Sequence, residues 1–178
     1  MKTPNIRPAI ATDIPALIAL DHSVQSEYVW QLDLRHEGPQ TSVTLREVRL
    51  PRPIRVEYPR RLSTLADEWH LRSAFWVLLE GNAPAGYLTL QAEPALELAR
   101  VSDLVIAPPL RRRGLASYLL KLAQAWAVEH ELTRLMLEVP AKNHPAIRLA
   151  QKHLFEFCGY NEAYYPSREV TLFFCKVV

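Results

Sequence analysis

Between residues 101 and 117 the chain runs Val101-Ser102-Asp103-Leu104-Val105-Ile106-Ala107-Pro108-Pro109-Leu110-Arg111-Arg112-Arg113-Gly114-Leu115-Ala116-Ser117. An apolar extended segment stops at two prolines, a loop of three arginines and a glycine follows, and a helix begins at once. Amides in the first turn of a helix lack intrahelical partners and point toward any anion placed there. The helix dipole adds about 0.3–1 kcal/mol for a negative group at low salt. Gly114 and Ala116 carry little bulk, so phosphate oxygens could approach the backbone. Arg111, Arg112 and Arg113 would supply charge-assisted donors. Ser117, with no GxSxG setting, is better suited to meeting a phosphate than to acting as a nucleophile. The bland alternative is a solvated basic turn. Yet positive charge is normally unfavourable at a helix start, and a bound anion would cancel it. The segment is no P-loop, since GxxxxGK[ST] is missing, and the second and third glycines of a dinucleotide fingerprint are absent.

The elements that would position this loop are legible to different degrees. Ile6 to Ile10 suits a first strand, and Thr12 or Asp13 can cap a helix with Pro15 in its first turn and Leu17, Ile18 and Leu20 inward. Residues 25–40 show no clear period. From Val43 to Tyr58 apolar residues alternate, which predicts two extended pieces separated by Pro51 and Pro53, at a sheet edge or in a cover loop. Leu62 to Arg72 suits a short helix. Phe75–Leu79 and Ala85–Gln91 flank a Glu80-Gly81-Asn82 turn and read as a hairpin. Leu96–Ile106 is a strand. Over 113–130, Leu115, Leu119, Leu122 and Trp126 recur at helical spacing and predict one buried face. Arg134–Val139 reads as a strand, Asn143–His153 as a helix opened by Asn143 or His144 with Pro145, and Phe155–Tyr160 and Glu169–Val177 as closing strands. This order predicts an α/β fold.

The 178 residues are 49% hydrophobic and 22% charged, ordinary for a globular protein and enough for one domain over 1–178 with its own core. That composition excludes a disordered, collagenous or disulfide-stapled chain. With 21 basic and 19 acidic residues the net charge is +2, which disfavours a dedicated nucleic-acid binder. Cys158 and Cys175 sit in apolar strand-like surroundings without CxxC spacing and read as free thiols. The first residues lack the apolar core of a signal peptide, and no apolar run reaches membrane-spanning length. The expectation is a soluble cytoplasmic protein that does not engage a membrane. No Cys/His cluster has ligand spacing, so no metal is expected.

The run Arg111-Arg112-Arg113-Gly114-Leu115-Ala116 matches the [RQ]-x-x-G-x-[GA] coenzyme-A loop of the GCN5-related N-acetyltransferases, the GNAT superfamily. A second block, Leu137-Glu138-Val139-Pro140-Ala141-Lys142-Asn143-His144-Pro145-Ala146-Ile147-Arg148-Leu149, resembles that family's L-E-V-x-x-x-N-x-x-A-I-x-L run. The tail around Gly159-Tyr160-Asn161, Tyr164-Tyr165-Pro166 and Val170–Phe174 is similar to ribosomal-protein-alanine and streptothricin acetyltransferases. The specific resemblance covers 97–178. It implies a mixed, mostly antiparallel central sheet with helices on both faces. It also implies acetyl transfer from acetyl-CoA to a primary amine of a small molecule or peptide. Leu104, Val105 and Ile106 then match the strand that pairs with the pantetheine arm, and the 111–117 loop and Asn143 match coenzyme contacts. Asn143 is equally a simple helix cap.

Amine acetylation needs deprotonation of an amine that is mostly protonated at neutral pH, a donor for the thioester oxygen, and departure of the thiol. By the resemblance, Glu138 matches the general base; its alternative is a strand carboxylate paired with Arg134 or Lys142. Asp103 is the second candidate, although it could point away from the site. A main-chain amide near Val105 or Ile106 matches the oxyanion donor, a role worth roughly 10²–10³ in rate. The family's tyrosine acid has no counterpart, because Ala150 occupies that position. Tyr160, Tyr164 and Tyr165 are the candidates to approach instead. Direct attack is expected, since no nucleophile is well placed. Asp33, Glu37 or Glu68 could attract a cationic amine; Arg46, Arg49, Arg52, Arg55, Arg60 and Arg61 could collect an acidic substrate or nucleic acid, but interspersed Glu47 and Glu57 favour a solvated edge. The rival readings are an acyl-CoA-binding regulatory domain with impaired catalysis, a longer-chain acyltransferase, and a basic-patch nucleic-acid module. The apolar final strand is compatible with a homodimer.

Overall fold

The computed structural model describes residues 4–178. In chain order it contains β1 (Asn5–Pro8), α1 (Ile14–Ile18), β2 (Val24–Glu37), β3 (Gln40–Val56), α2 (Leu62–Glu68), β4 (Ala74–Glu80), β5 (Ala83–Glu93), β6 (Leu98–Ile106), α3 (Leu115–Glu129), β7 (Arg134–Pro140), α4 (His144–Lys152), β8 (Glu156–Asn161) and β9 (Thr171–Val177). Seven strands form one sheet in the order β1-β4-β5-β6-β7-β9-β8, while β2 and β3 form a separate two-stranded ribbon. Every pairing in the large sheet is antiparallel except β6 with β7. A parallel neighbour requires a crossover, and α3 supplies it. The expected mixed, mostly antiparallel sheet is what forms.

Alternation along the strands sends side chains to two cores. Phe75, Val77 and Tyr87 meet Ile14, Leu17 and Leu65 from α1 and α2. Leu78, Leu88 and Leu90 face the larger cluster with Leu119, Leu120, Ala123 and Ala127 of α3 and Ile147 and Ala150 of α4. The stripe expected on α3 is thereby corrected. Of its four members only Leu119 is buried; Leu115, Leu122 and Trp126 are half-buried, and the alanines hold the contact line. Small residues let the helix approach the sheet closely, so the largest side chains flank the line of contact.

The ribbon departs from expectation as well. β3 is one strand rather than two pieces, because Pro51 and Pro53 fall where the register jumps from Ser26↔Ile54 to Tyr28↔Arg49. The bulge absorbs residues that cannot donate to the ladder. Residues 25–40 lack a period because the ribbon is not sandwiched between layers. Asp13 does not cap α1 with its side chain. Its carboxylate accepts from both terminal nitrogens of Arg7 (2.7 and 2.8 Å) and from the Ile10 amide (2.9 Å).

One irregularity shapes the centre of the sheet. In β6, Leu90 pairs with Val101 but Thr89 pairs with Asp103, so Ser102 is an inserted residue. The insertion flips the phase: Ala99 and Val101 face the larger core before it, Leu104 and Ile106 after it. β6 pairs with β7 only from Leu98 to Val101, and the two strands part at the bulge. On the other side of β6, Gly86 permits close packing. A Cβ there would lie 2.7 Å from the Val105 carbonyl oxygen and 2.9 Å from Ile106 Cδ1. Gly86→Ala should therefore cost about 1–3 kcal/mol, as overpacking against backbone does, read as a lower urea midpoint with an unchanged slope.

Candidate active site

Where β6 and β7 part, two carboxylates occupy the opening. Glu138 on β7 has a fully buried side chain and Asp103 on β6 a nearly buried one. Buried charges persist only when paired, and both are. Glu138 accepts from Arg60, from Arg100 (3.1 Å), and from the hydroxyls of Tyr164 and Tyr165, the latter at 3.3 Å. Asp103 accepts from Tyr58 and, at 2.5 Å, from Thr89. Arg60 Nε lies 3.7 Å from Asp103, so one guanidinium joins the two carboxylates. Behind Tyr58, the Tyr87 hydroxyl lies 3.1 Å from His22 Nε2.

Glu138 is thus paired with Arg60 and Arg100 rather than with Arg134 or Lys142. Lys142 instead lies 3.7 Å from Glu169. Burial works against the charge on Arg60, but Tyr165, Asp103 and Glu138 together hold its pKa above the ordinary value. Burial raises the pKa of Tyr164, and its bond to Glu138 raises it further. Tyr165 is raised chiefly by burial. Both phenols are therefore protonated at neutral pH.

An open cavity of about 600 Å³ lies beside this network. Its walls include Tyr58, Arg60, Arg61, Arg72, Asp103 and the Tyr164–Tyr165 pair, but not Glu138. Asp103 faces the cavity rather than away from it. Tyr164 and Tyr165 stand between Glu138 and the cavity. Tyr160 is half-buried against the larger core instead. Ala150 is fully buried among core residues, and its methyl group offers no acid for a leaving group. Asp33 and Glu37 sit on the ribbon, away from these walls; Glu68 lines them.

Three arginines in the loop have different surroundings. Arg111 donates to the carbonyls of Ile106 (2.8 Å), Ser23 (2.8 Å) and Asp21 (2.9 Å). It clamps the end of β6 to the segment before β2. Arg112 and Arg113 are exposed. Gly114 has φ +83°, and the space its Cβ would take is open. The first intrahelical bond of α3 runs from the Tyr118 amide to the Gly114 carbonyl (3.0 Å), leaving the amides of Leu115, Ala116 and Ser117 without a helical partner. Asn143 caps α4, its side chain accepting from the Ala146 amide at 3.2 Å. The Ala107 amide donates to Ala85 on β5. Alternation along the strand turns the Ile106 amide to the opposite edge, where β6 has no strand partner. Open glycine, orphan amides and an unpaired strand edge thus lie together at the end of β6.

The sequence did not reveal Arg60, Arg100, Tyr58 or Arg72 as members of this site. Arg60 was grouped with the solvated arginines, yet it lies in the loop after β3 and turns inward. Its separation from Glu138 by 78 positions leaves no local pattern to read.

A family model for acetyltransferases of the GNAT type matches residues 43–155. The chain belongs to the acetyltransferase (GNAT) family. As a GNAT protein it is an acetyl-CoA-dependent N-acetyltransferase. The streptothricin acetyltransferase of Streptomyces lavendulae is 27% identical over 171 residues, covering 93% of this chain and 88% of that protein. A nourseothricin acetyltransferase structure superposes with a TM-score of 0.83 at 26% identity, covering 98% of each chain. A Bacillus anthracis protein crystallised with acetyl coenzyme A has a TM-score of 0.75 at 19% identity, covering 99% of this chain and 100% of that one. The GNAT match begins well upstream of the two motifs.

Gly114→Glu places a carboxylate where the open space and orphan amides are, at a backbone angle side chains rarely adopt. Calorimetric titration of acetyl-CoA should show saturable binding to the wild type and none to this variant.

Proposed function

We propose that this GNAT protein moves the acetyl group directly from acetyl-CoA to a primary amine held in the cavity beside Tyr164 and Tyr165. Acetyl-CoA, when bound, supplies an activated thioester. The chain supplies the rest. The amides opening α3, with Arg112, Arg113 and Ser117, receive the phosphates. Arg111 acts by fixing the loop. Leu104 to Ile106 offer a strand edge to the extended arm, with the Ile106 amide as oxyanion donor. Asn143 holds the start of α4 beside that arm.

The observation that carries the reading is the placement of two phenols between a buried carboxylate and the cavity. Glu138 is too enclosed to touch an amine, but Tyr164 and Tyr165 donate to it and line the walls. A phenol can accept the amine proton as it passes its own to Glu138, so the base acts through a hydroxyl. The same phenols, kept protonated by burial, are acids suited to the departing thiolate, a role that Ala150 cannot fill. Asp103 is the second carboxylate within reach, through Tyr58. Direct transfer is supported by the cavity walls, which include no cysteine or serine. The acceptor is a small-molecule or peptide amine. Streptothricin is the name the Streptomyces relative carries.

Amine-dependent release of coenzyme A tests this. Glu138→Gln should slow release at least about tenfold at neutral pH, as expected for a lost general base, with acetyl-CoA affinity nearly unchanged. An unaltered rate would reject Glu138 as base. Thiol binding without turnover of any amine would instead favour a regulatory acyl-CoA-binding domain.

A further inference from the structure

The cavity holds its charges unequally. Arg60, Arg61 and Arg72 face two carboxylates, Asp103 and Glu68. Asp103 is already held by Tyr58, Thr89 and Arg60, and Glu138 behind the wall is held by two arginines and two phenols. Neither carboxylate is free to pair with an incoming cation. Glu68 is half-exposed, and its nearest cation is Arg72 Nη2 at 3.9 Å.

The cations are in the opposite condition. Arg61 has no hydrogen-bond or ion-pair partner for its side chain among the described residues. Arg72 is 14% exposed, and its ionic neighbour is Glu68, at 3.9 Å too far for a hydrogen bond. The two residues flank α2, Arg61 immediately before it and Arg72 after the short turn that follows it. One helix therefore delivers both cations to the same cavity.

We infer that the acceptor is an amine that also carries an anion, a carboxylate or a phosphate, bound by Arg61 and Arg72 while the amine faces Tyr164 and Tyr165. This inference rests on the acetyl-transfer reading and names the substrate class for it. Positive surroundings also favour the neutral form of a neighbouring amine, which is the form that attacks. A polycationic acceptor would meet Arg61 and Arg72 with only Glu68, itself beside Arg72, to offset them.

Matched acceptors test the inference with the intact enzyme and acetyl-CoA. The carboxylate arm compares 4-aminobutyrate with butylamine, the phosphate arm compares phosphoethanolamine with ethanolamine, and cadaverine serves as the dication. The anionic member of at least one pair should show kcat/KM about ten- to a hundredfold higher, as loss of a charged hydrogen bond predicts. Which arm responds distinguishes carboxylate from phosphate. In Arg61→Gln, and separately in Arg72→Gln, that ratio should fall toward one through KM, with acetyl-CoA titration and thermal midpoint as in the wild type. Arg61 is exposed, so its variant reports even where Arg72→Gln disturbs folding. Equal use of charged and uncharged partners, or preference for cadaverine, overturns the inference while leaving acetyl transfer standing. Turnover of none of the five with acetyl-CoA still titrating also overturns it. Failure of acetyl-CoA to titrate overturns the acetyl-transfer reading and this inference together.

Discussion

β6 and β7 stay paired only as far as Val101, and the next residue, Ser102, is the one inserted against β5. From that point one edge of β6 has amides without a strand partner, and a wedge opens in the middle of the sheet. The rest of the molecule is arranged around this wedge. On one side the end of β6 runs into the glycine turn and α3; on the other, β7 carries Glu138 and then Asn143 at the start of α4. The orphan amides opening α3 and the network of buried charges both lie beside one interrupted ladder.

A wedge lined by two carboxylates would be unstable unless cations entered it, since an unpaired buried charge costs several kcal/mol. Arg60 enters from the loop after β3 and Arg100 from β6 itself, while Tyr164 and Tyr165 come from the segment between β8 and β9. The network thus fixes four distant stretches of chain. Of the groups bonded to Glu138, Arg60, Tyr164 and Tyr165 line the cavity, whereas the carboxylate itself does not. The ribbon is tied in separately. The Trp30 amide donates to the Ala141 carbonyl at 2.8 Å, and the Tyr28 ring packs tilted against that of His144, so β2 braces the turn from which Asn143 caps α4.

How much of this was readable follows the range of the interactions. The glycine loop, the α3 helix, the Asn143 cap and the β4–β5 hairpin depend on neighbours within a few residues, and each is visible as a local pattern. The stripe on α3 was misplaced because spacing identifies a helix without saying how close it lies to the sheet. The continuous β3 strand was hidden because Pro51 and Pro53 normally end strands, and only pairing with β2 shows that a bulge accommodates them. Arg60 looked like a surface charge, since no sequence pattern distinguishes an arginine that turns inward.

By itself, then, the sequence determined the order of elements, the GNAT motifs, and the helix start with its orphan amides, because these depend on backbone preferences and short spacings. Only the tertiary structure decided that β6 and β7 separate at Ser102. It also decided that Glu138 is enclosed by Arg60, Arg100, Tyr164 and Tyr165, that Arg111 clamps carbonyls, and that α2 sets Arg61 and Arg72 into one cavity. Those facts join residues tens of positions apart. Burial converts such encounters into strong constraints, because a charge removed from water must find its partner wherever in the chain that partner lies.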